Sequence, residues 1–284
     1  MLLLPSPTSP AAPAGKIVFT CRIFGVLPDQ ICIINADGSD YRRIMFADKA
    51  ESYYPSLSPD GTSVVFTSNL TTVYEIYEMD LSVGIPVQLT DHLGEPYAPE
   101  ISPDGQSIVF ANIISAFSSI WLMDRDGGNP HEIFRLEGKD CVDPTWSPDG
   151  TRILFAAGIG TDKQLFTIAP DGRDPLAVHE TFRTRGRSDW SADGAIVAAY
   201  SWLSPNFEIF FINPDGSNLR QMTFDGRDLA PSFSPDSQWM VYTSYAGNND
   251  DPNGCELFIM RVDGSQNIRL TNNSYCDWQP RWGR

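Results

Sequence analysis

The chain has 284 residues, of which 42% are hydrophobic and 20% charged, a composition typical of a globular protein with a large buried core. Its net charge of −16 and pI near 4.4 disfavour nucleic acids and anionic membranes as partners, because long-range repulsion opposes encounter with either. The sequence has no apolar run of about eighteen residues, so we expect no direct insertion into a membrane.

Residues 1–14 have the Pro, Ala and Ser content of a semi-rigid linker. The apolar stretch from Met1 to Leu4 is too short for a signal-peptide core, so no signal peptide is visible. We interpret this segment as the end of a tether. It suggests a domain of a longer anchored or exported protein in an extracytoplasmic compartment, either periplasmic or at the cell surface.

An internal repeat dominates the rest of the chain. Its motif is Pro, two further residues and then Ser-Pro-Asp-Gly, with copies that begin at Pro55, Pro99 and Pro144. The copy that begins at Pro231 ends in Ser237 instead of Gly, and a weaker copy begins at Ser188. The aspartates of these copies lie 44, 45, 44 and 43 residues apart, at Asp60, Asp104, Asp149, Asp193 and Asp236. Such a period predicts one supersecondary unit per repeat.

Each unit contains four apolar runs. The Ser-Pro-Asp-Gly motif follows the first run, a loop of variable length follows the second, and an Asp-Gly turn usually follows the third. These Asp-Gly pairs begin at Asp37, Asp126, Asp171, Asp215 and Asp263. Asp and Gly tolerate the positive φ of tight hairpins, so each unit is predicted to be four antiparallel strands, as in a propeller blade.

The number of blades follows from the chain ends. The run from Ile17 to Phe19 is a second strand with no first strand before it, whereas Gln279 to Trp282 matches the start of the repeat. We therefore predict an all-β fold over residues 15–284, a six-bladed β-propeller of four-stranded antiparallel blades. The C-terminal strand is expected to pair into the N-terminal blade and close the ring.

These repeats resemble the WD-like β repeats of TolB-type propellers. The resemblance rests on the Ser-Pro-Asp-Gly and Asp-Gly motifs and runs from about Gly15 to Arg284. It implies a TolB-like six-bladed propeller. Because propellers of that type commonly dock a protein segment at the mouth of the central channel, it also implies an interaction module.

Motifs for catalysis are absent from the sequence, which has no Gly-x-Ser-x-Gly elbow, phosphate loop, HExxH or dinucleotide fingerprint. A lyase branch that resembles this propeller holds a metal with several histidines, but His92, His131 and His179 fall at separate positions. Segments 35–40 and 124–129 imitate the start of a calcium loop without its twelfth-position Glu, so we interpret their aspartates as turn residues. We expect no enzyme activity, no cofactor and no metal.

Five cysteines are present without a CxxC pair, so a structural zinc site is not expected. Cys255 and Cys276 are predicted to lie close together at the loop edge of the last blade, which makes a disulfide plausible. Cys21 and Cys32 flank one hairpin and form a second candidate pair. Cys141 would then be free.

Strand alternation places both kinds of Asp-Gly turn at one edge of every blade and the variable loops at the other. The turn edge repeats nearly the same residues, so we expect recognition at the loop edge, around the channel mouth. The candidate ligand-binding residues there are Glu51, Tyr54, Glu95, Tyr97, Asp140, Asp143, Arg185, Arg187, Asp228, Asp277 and Trp278. The acids are expected to form a ring that attracts a cationic segment, with the arginine pair orienting its carboxylate end and the aromatics supplying affinity. The alternative is a solvated acidic surface whose aromatics pack between blades.

The predicted function is a monomeric, non-catalytic scaffold that binds a protein or peptide partner at the channel mouth. Two alternatives stay open. One is a carbohydrate-active propeller, either a glycan-binding module or a lyase, because Tyr and Trp also suit sugars. The other is a sensor or regulatory domain of a larger receptor or peptidase.

Overall fold

The computed structural model describes residues 12–22, 28–47, 49–203, 206–224, 226–246 and 254–283. Within these ranges the chain forms 24 strands, arranged as six antiparallel sheets of four. None of the described residues belongs to a helix long and apolar enough to cross a membrane. Most of the predicted linker, residues 1–11, lies outside the described residues.

The first three blades contain the N-terminal half of the ring. Blade 1 consists of β1 (Lys16–Arg22), β2 (Gln30–Asn35), β3 (Arg42–Arg43) and β24 (Cys276–Gly283). Blade 2 consists of β4 (Ser52–Leu57), β5 (Ser63–Ser68), β6 (Glu75–Asp80) and β7 (Pro86–Gln88). Blade 3 consists of β8 (Glu95–Ile101), β9 (Ser107–Ile113), β10 (Ser118–Asp124) and β11 (His131–Phe134).

The other three blades follow the same order of strands. Blade 4 consists of β12 (Asp140–Trp146), β13 (Ile153–Ile159), β14 (Asp162–Ile168) and β15 (Leu176–Ala177). Blade 5 consists of β16 (Asp189–Trp190), β17 (Val197–Leu203), β18 (Asn206–Ile212) and β19 (Arg220–Gln221). Blade 6 consists of β20 (Asp228–Phe233), β21 (Trp239–Ser244), β22 (Glu256–Arg261) and β23 (Ile268–Arg269).

The first strands form a closed inner ring. Strands β4, β8, β12, β16, β20 and β24 each contact the next in this order, and β24 contacts β4 again. Strand β24 pairs antiparallel with β1, with Ile17 opposite Trp282 and Val18 opposite Arg281. The predicted six-bladed propeller and its closure by the C-terminal strand are confirmed. Closure matters energetically because it leaves no unpaired inner strand edge in the ring.

The hydrophobic core is divided among the interfaces between blades. Six buried clusters occur, one between each pair of adjacent blades around the ring. The second strands are buried on both faces because each blade packs between two others, as Val64, Val65 and Phe66 show with 0% exposure. This explains why these strands appear in the sequence as continuous apolar runs rather than alternating ones.

The repeated aspartates stabilise turns. The Asp60 carboxylate accepts hydrogen bonds from the Ser58 hydroxyl (2.6 Å) and from the Thr62 amide (3.1 Å), and Gly61 has a φ of 69°. The bond from Ser58, followed by those from Thr62, lowers the pKa of Asp60 to about 2. In the other kind of turn Asp37 accepts from the amide and hydroxyl of Ser39. These carboxylates serve the hairpins, as the turn interpretation requires.

Two disulfides lie at the loop edge. Cys21 is bonded to Cys32 and links β1 to β2, with Cα atoms 5.9 Å apart. Cys255 is bonded to Cys276, so it links blade 6 to the closing strand β24, with Cα atoms 4.3 Å apart. Cys141 is buried and free. These are the pairs that the sequence suggests, and the second pair fastens the ring at its seam.

Candidate functional site

A bulge in the first strand shapes the centre of the ring. In five blades the residue before the motif proline has a positive φ of 50° to 56°, and the pairing register shifts there: Tyr54, Ala98, Asp143, Ala230 and Gln279. A bulge re-aims a side chain relative to its strand. The bulges of neighbouring blades contact each other around the inner ring. For example, the Tyr54 amide of blade 2 donates a hydrogen bond to Gln279 Oε1 of blade 1 at 3.2 Å.

A cavity of about 410 Å³ lies at the loop edge over blades 1, 2 and 3. Its lining is Arg22, Asp29, Glu51, Tyr53, Tyr54, Tyr74, Glu95, Pro96, Tyr97, Ile113 and Trp278. Five of the predicted candidates are therefore in one place: Glu51, Tyr54, Glu95, Tyr97 and Trp278. The lining carries three carboxylates and one guanidinium, a formal charge of −2.

The aromatic side chains of this cavity contact each other. Tyr53 lies 5.3 Å from both Tyr54 and Tyr74, measured between ring centroids, and Tyr54 lies 5.8 Å from Tyr97. Burial raises the pKa values of Tyr53, Tyr54 and Tyr97 well above the ordinary value. These phenols stay protonated at neutral pH, so the cavity lining consists of aromatic ring faces and neutral hydroxyl groups.

Charged groups flank the aromatic cluster. The Tyr74 hydroxyl donates to Glu51 at 2.5 Å, and burial together with this bond raises the pKa of Tyr74 to about 12. Arg22 forms an ion pair with Asp29, and its guanidinium lies 4.9 Å from the Trp278 ring centroid. The charges of Arg22 and Asp29 offset each other in this pair, so the exposed negative charge of the cavity comes from Glu51 and Glu95.

Arg187 lies below the cavity in the centre of the ring. This side chain of blade 5 donates to the carbonyl oxygens of Gln279 in blade 1 (3.2 Å) and Pro55 in blade 2 (3.0 Å), and lies 5.6 Å from the Tyr54 ring. Burial, and after it the charge of Arg281, lowers the pKa of Arg187 to about 9. The side chain therefore reaches across the centre of the ring from blade 5 to blades 1 and 2.

A second layer of charges lies towards the turn edge. Arg281 of blade 1 contacts Glu100 of blade 3 at 3.4 Å and Asp189 of blade 5 at 3.5 Å. Thr145 and Ser232, in the next blades, donate hydroxyl hydrogen bonds to Glu100 and Asp189. Alternate blades are thus joined through one arginine, and a cavity of about 400 Å³ that faces the turns is lined by Glu100, Asp189, Ser232 and Arg281.

The expected ring of acids is only partly formed. Glu51 and Glu95 are exposed, whereas Asp143, Asp228 and Asp277 are only 8%, 4% and 0% exposed, respectively. The reason is register. Glu51 and Glu95 stand four residues before the motif proline, but Asp228 and Asp277 stand three before it, and a shift of one residue turns a strand side chain to the other face. Asp140 also stands four before its proline, and it is half-buried and accepts from the Ser118 amide at 3.2 Å.

The two arginine side chains diverge. Arg187 is buried in the channel, whereas Arg185 lies half-buried on the rim, 4.8 Å from the Phe207 ring and 5.9 Å from the Trp202 ring. They diverge although only Gly186 separates them, because the Arg187 guanidinium reaches across the ring to Pro55 and Gln279, whereas Arg185 packs on aromatic rings of its own blade. The structure therefore places the two guanidinium groups apart, and their joint contact with one carboxylate stays a prediction.

Several residues of the site are not among the candidates predicted from the sequence. Tyr53 and Tyr74 line the cavity, and so do Arg22 and Asp29 of blade 1. Exposed apolar side chains also lie where second strands lead into third strands, either in the loop (Val73, Ile114 and Phe117) or near the end of the second strand (Ile159 and Trp202). Their position within the repeat was the only indication in the sequence, because connections between second and third strands lie at the same edge as the predicted site.

The histidines lie at three separate places, in the loop after β7, at the start of β11 and after β15. One group of potential metal ligands, Glu75, Asp91 and His92, has ligand atoms within 4.8 Å of one another. Glu75 accepts hydrogen bonds from the Thr90 hydroxyl and the His92 amide. Glu256 makes the same bonds with Thr271 and Asn273 in blade 6, where no histidine occurs, so this arrangement belongs to the blade structure.

These observations define the class of the protein as a six-bladed β-propeller with an aromatic, acidic cavity on its loop face. Residues 87–284 match the family model of the TolB beta propeller domain. The chain belongs to this family, and its fold is consistent with a protein-interaction scaffold.

Solved structures share this fold, and a curated relative matches part of the chain. The fold is similar to TolB from Acinetobacter baumannii (TM-score 0.83, 23% identity, 96% of this chain and 68% of that one). It is also similar to a putative TolB from Agrobacterium tumefaciens (TM-score 0.71, 20% identity, 92% of this chain and 89% of that one). An uncharacterized protein of Agrobacterium fabrum is 32% identical over 92 residues, which cover 32% of this chain and 30% of that relative.

Some more distant neighbours with this fold are enzymes. An oligogalacturonate lyase from Vibrio parahaemolyticus has a TM-score of 0.56 and 15% identity, over 85% of this chain and 74% of that one. At this level of identity the likeness concerns the fold alone. Whether a propeller catalyses a reaction depends on its own side chains and not on the fold.

Proposed function

We propose that the protein is a monomeric, non-catalytic scaffold that binds a segment of a partner protein at its loop face. The main anchor point is the cavity over blades 1, 2 and 3. The observation that carries this proposal is the meeting of four tyrosines and Trp278 in one cavity beside the exposed carboxylates of Glu51 and Glu95. Aromatic side chains on a rigid framework are frequent anchors of protein recognition.

The surroundings of the cavity favour a protein partner over a small ligand. Exposed apolar residues at the same edge extend the contact surface beyond the cavity, from Ile114 (54%) in the loop after β9 to Trp202 (52%) near the end of β17 in blade 5. A partner protein with one segment anchored in the cavity could contact these apolar residues with the rest of its surface. Exposed apolar groups in loops on a rigid scaffold are a feature of protein-binding surfaces.

The chemistry of the cavity favours a cationic anchor. A Lys or Arg side chain placed among Tyr53, Tyr54 and Tyr97 would contact ring faces and approach Glu51 or Glu95. Cation–π contacts contribute about 0.5–2 kcal/mol, depending on how well the cation is desolvated. The overall charge of −16 adds long-range attraction that speeds encounter with a basic partner.

We further propose that residues 15–284 act as one binding domain, held by residues 1–14 in an extracytoplasmic compartment. Two disulfides support an oxidising environment, because such bonds persist outside the cytoplasm and are rare within it. A sensor or regulatory role within a larger receptor or peptidase would use the same face.

The test is a selection of random twelve-residue peptides displayed on phage against the folded protein, followed by affinity measurement. Tyr97→Ala and Trp278→Ala are each expected to weaken the selected peptides by more than about 1 kcal/mol, or roughly fivefold in Kd. Asp215→Ala, at the turn edge of blade 5, is the matched control and should bind normally. If the selected peptides bind the loop-face variants as well as the parent and lose affinity only for the turn-edge variant, the assignment of the functional face is wrong.

A glycan ligand is the second candidate, since Tyr and Trp rings in an open cavity also suit sugar stacking. A glycan array probed with the parent protein and with Trp278→Ala distinguishes the two. Binding of a neutral glycan that depends on Trp278, with no peptide enriched, would replace the peptide proposal by this one.

A further inference from the structure

The turn edge of blade 2 departs from the repeat. Five blades join their third and fourth strands through an Asp-Gly turn, but blade 2 has Asp80-Leu-Ser-Val-Gly84 in its place. This connection is ordered by its own hydrogen bonds, from the amides of Ser82 and Gly84 to Asp80. The turn edge is therefore less uniform than the repeats suggest, and the difference is confined to one blade.

The consequence is a row of exposed aliphatic side chains. Val83, Ile85 and Val87 are 63%, 66% and 60% exposed. They are spaced two residues apart along the segment that ends in β7, and all three lie on the same side of blade 2. The outer strands of blades 1, 5 and 6 instead carry arginine at Arg42, Arg43, Arg220 and Arg269. Charged outer strands are a usual protection of sheet edges, and blade 2 lacks it.

This row borders a groove between blades 2 and 3 with a volume of about 1020 Å³. Blade 2 contributes Val83, Ile85, Val87 and Leu89 to one wall. Blade 3 contributes the other wall, with Gln106, Ser107 and the segment 124–126. The groove is as large as the upper range of ligand sites, about 300–1,000 Å³, and is long enough for several residues of an extended chain.

The polar part of the groove is acidic. Glu78, Asp80, Asp124 and Asp126 line it together with a single cation, Arg125, which gives a formal charge of −3. Arg125 is committed to the protein itself, because it pairs with Glu78 at 2.5 Å and donates to the Ser63 hydroxyl at 3.0 Å. An occupant therefore meets an aliphatic wall on one side and uncompensated carboxylates on the other.

The backbone of β7 argues against simple addition of another strand. The Leu89 amide donates a hydrogen bond to the Ile76 carbonyl in β6. Because backbone amides alternate in direction along a strand, the amide of Val87 also faces β6, and the backbone nitrogen of residue 86 faces the open edge. That residue is Pro86, which has no N–H to offer. The occupant must be held mainly by its side chains.

We propose that this groove docks a short basic segment of a partner protein whose aliphatic side chains pack on Val83, Ile85 and Val87. Its Lys or Arg side chains face Asp80, Asp124 and Asp126. Charge complementarity selects this occupant. A second copy of the chain, with a net charge of −16, would be repelled. The site is separate from the loop face, so a partner could engage both at once.

The direct test uses a fluorescein-labelled peptide of alternating Lys and Leu residues, with a Lys and Ser peptide of the same charge for comparison, and fluorescence anisotropy as the readout. Val83→Ser/Ile85→Ser/Val87→Ser is expected to raise the Kd of the Lys and Leu peptide at least tenfold and to leave that of the Lys and Ser peptide unchanged. Asp124→Asn/Asp126→Asn is expected to raise the Kd of both peptides.

The matched control is Asp171→Asn/Asp215→Asn, which removes the same charge from the equivalent turns of blades 4 and 5. It should change neither Kd by more than twofold. An unchanged Kd in the serine variant, or an equal loss in the control variant, would overturn the proposal, because binding would then be nonspecific attraction to an acidic protein. Thermal melting of each variant, together with unchanged binding of loop-face peptides, separates loss of the groove from loss of folding and from failure of the loop-face site.

Discussion

The guanidinium of Arg187 in blade 5 donates a hydrogen bond to the carbonyl oxygen of Pro55 in blade 2, the blade on the opposite side of the ring (3.0 Å). The same group donates to Gln279 in blade 1 at 3.2 Å. One side chain, only 5% exposed, therefore ties three inner strands together. Arg187 was a binding candidate from its position at the channel mouth, and the structure also assigns it a stabilising role.

Arg187→Met should destabilise the protein by about 3 kcal/mol, because it leaves two buried carbonyl groups unpaired and removes the positive charge near buried Asp143. Urea unfolding followed by tryptophan fluorescence measures the loss. Arg185→Met, on the rim of the same blade, is the control and should change the free energy of unfolding by less than about 0.5 kcal/mol. Equal losses in the two variants would contradict the role given to Arg187.

Deletion of residues 279–284 should abolish cooperative unfolding. It removes Trp282, which is opposite Ile17, and Arg281, which is opposite Val18, so β1 loses its inner partner and the ring opens. Differential scanning calorimetry should show no sharp transition. Cys255→Ser/Cys276→Ser provides the comparison, since it keeps the strand and loses only the covalent link, with an expected cost of about 3 kcal/mol. A truncated protein that melts like the full chain would disprove closure by β24.

Cys141 should be unreactive in the folded protein. Its side chain is buried, and burial raises the pKa of the thiol to about 11, so very little thiolate is present at pH 8. Iodoacetamide should add no label to the native protein and one label after unfolding in urea without reductant. Mass spectrometry under non-reducing conditions should find Cys21 linked to Cys32 and Cys255 linked to Cys276. Five labels on protein from its native compartment would instead indicate a reducing environment.

Asp277 should make stability decrease as the pH rises. Burial, with a smaller contribution from Glu256, raises the pKa of Asp277 to about 7, against about 3.9 in an unfolded chain. Between these values the folded state holds a proton that the unfolded state has released, so the free energy of unfolding falls as the pH rises from about 4 through 7.

Asp277→Asn removes this titration. The free energy of unfolding of the variant minus that of the parent should therefore increase from pH 5 to pH 8. Altering the hydrogen bonds to Tyr41 and Asn273 adds a cost that is the same at both pH values and does not affect this increase. Urea unfolding of both proteins at pH 5 and at pH 8 gives the difference in the free energy of unfolding at each pH. A difference that is the same at pH 5 and pH 8 would show that Asp277 does not titrate in this range.

The sequence by itself determined the architecture. The aspartates of the turns, such as Asp60 with Ser58 and Thr62, act through hydrogen bonds to residues within a few positions, so their pattern is visible in the chain. The continuous apolar second strands follow from burial on both faces. The repeat length, the number of blades and the strand that closes the ring could all be predicted from such local features.

Only the tertiary structure decided which candidate residues meet. Tyr54, Tyr97 and Trp278 converge because three neighbouring blades direct them to one opening, whereas Arg187 points across the ring and Asp277 is buried between strands. A bulge or a shift of one residue reverses the direction of a side chain, and contacts across the ring join residues far apart in sequence, such as Arg187 and Pro55. Loop-edge position could therefore be predicted from the repeat, but the direction of each side chain depended on packing between blades.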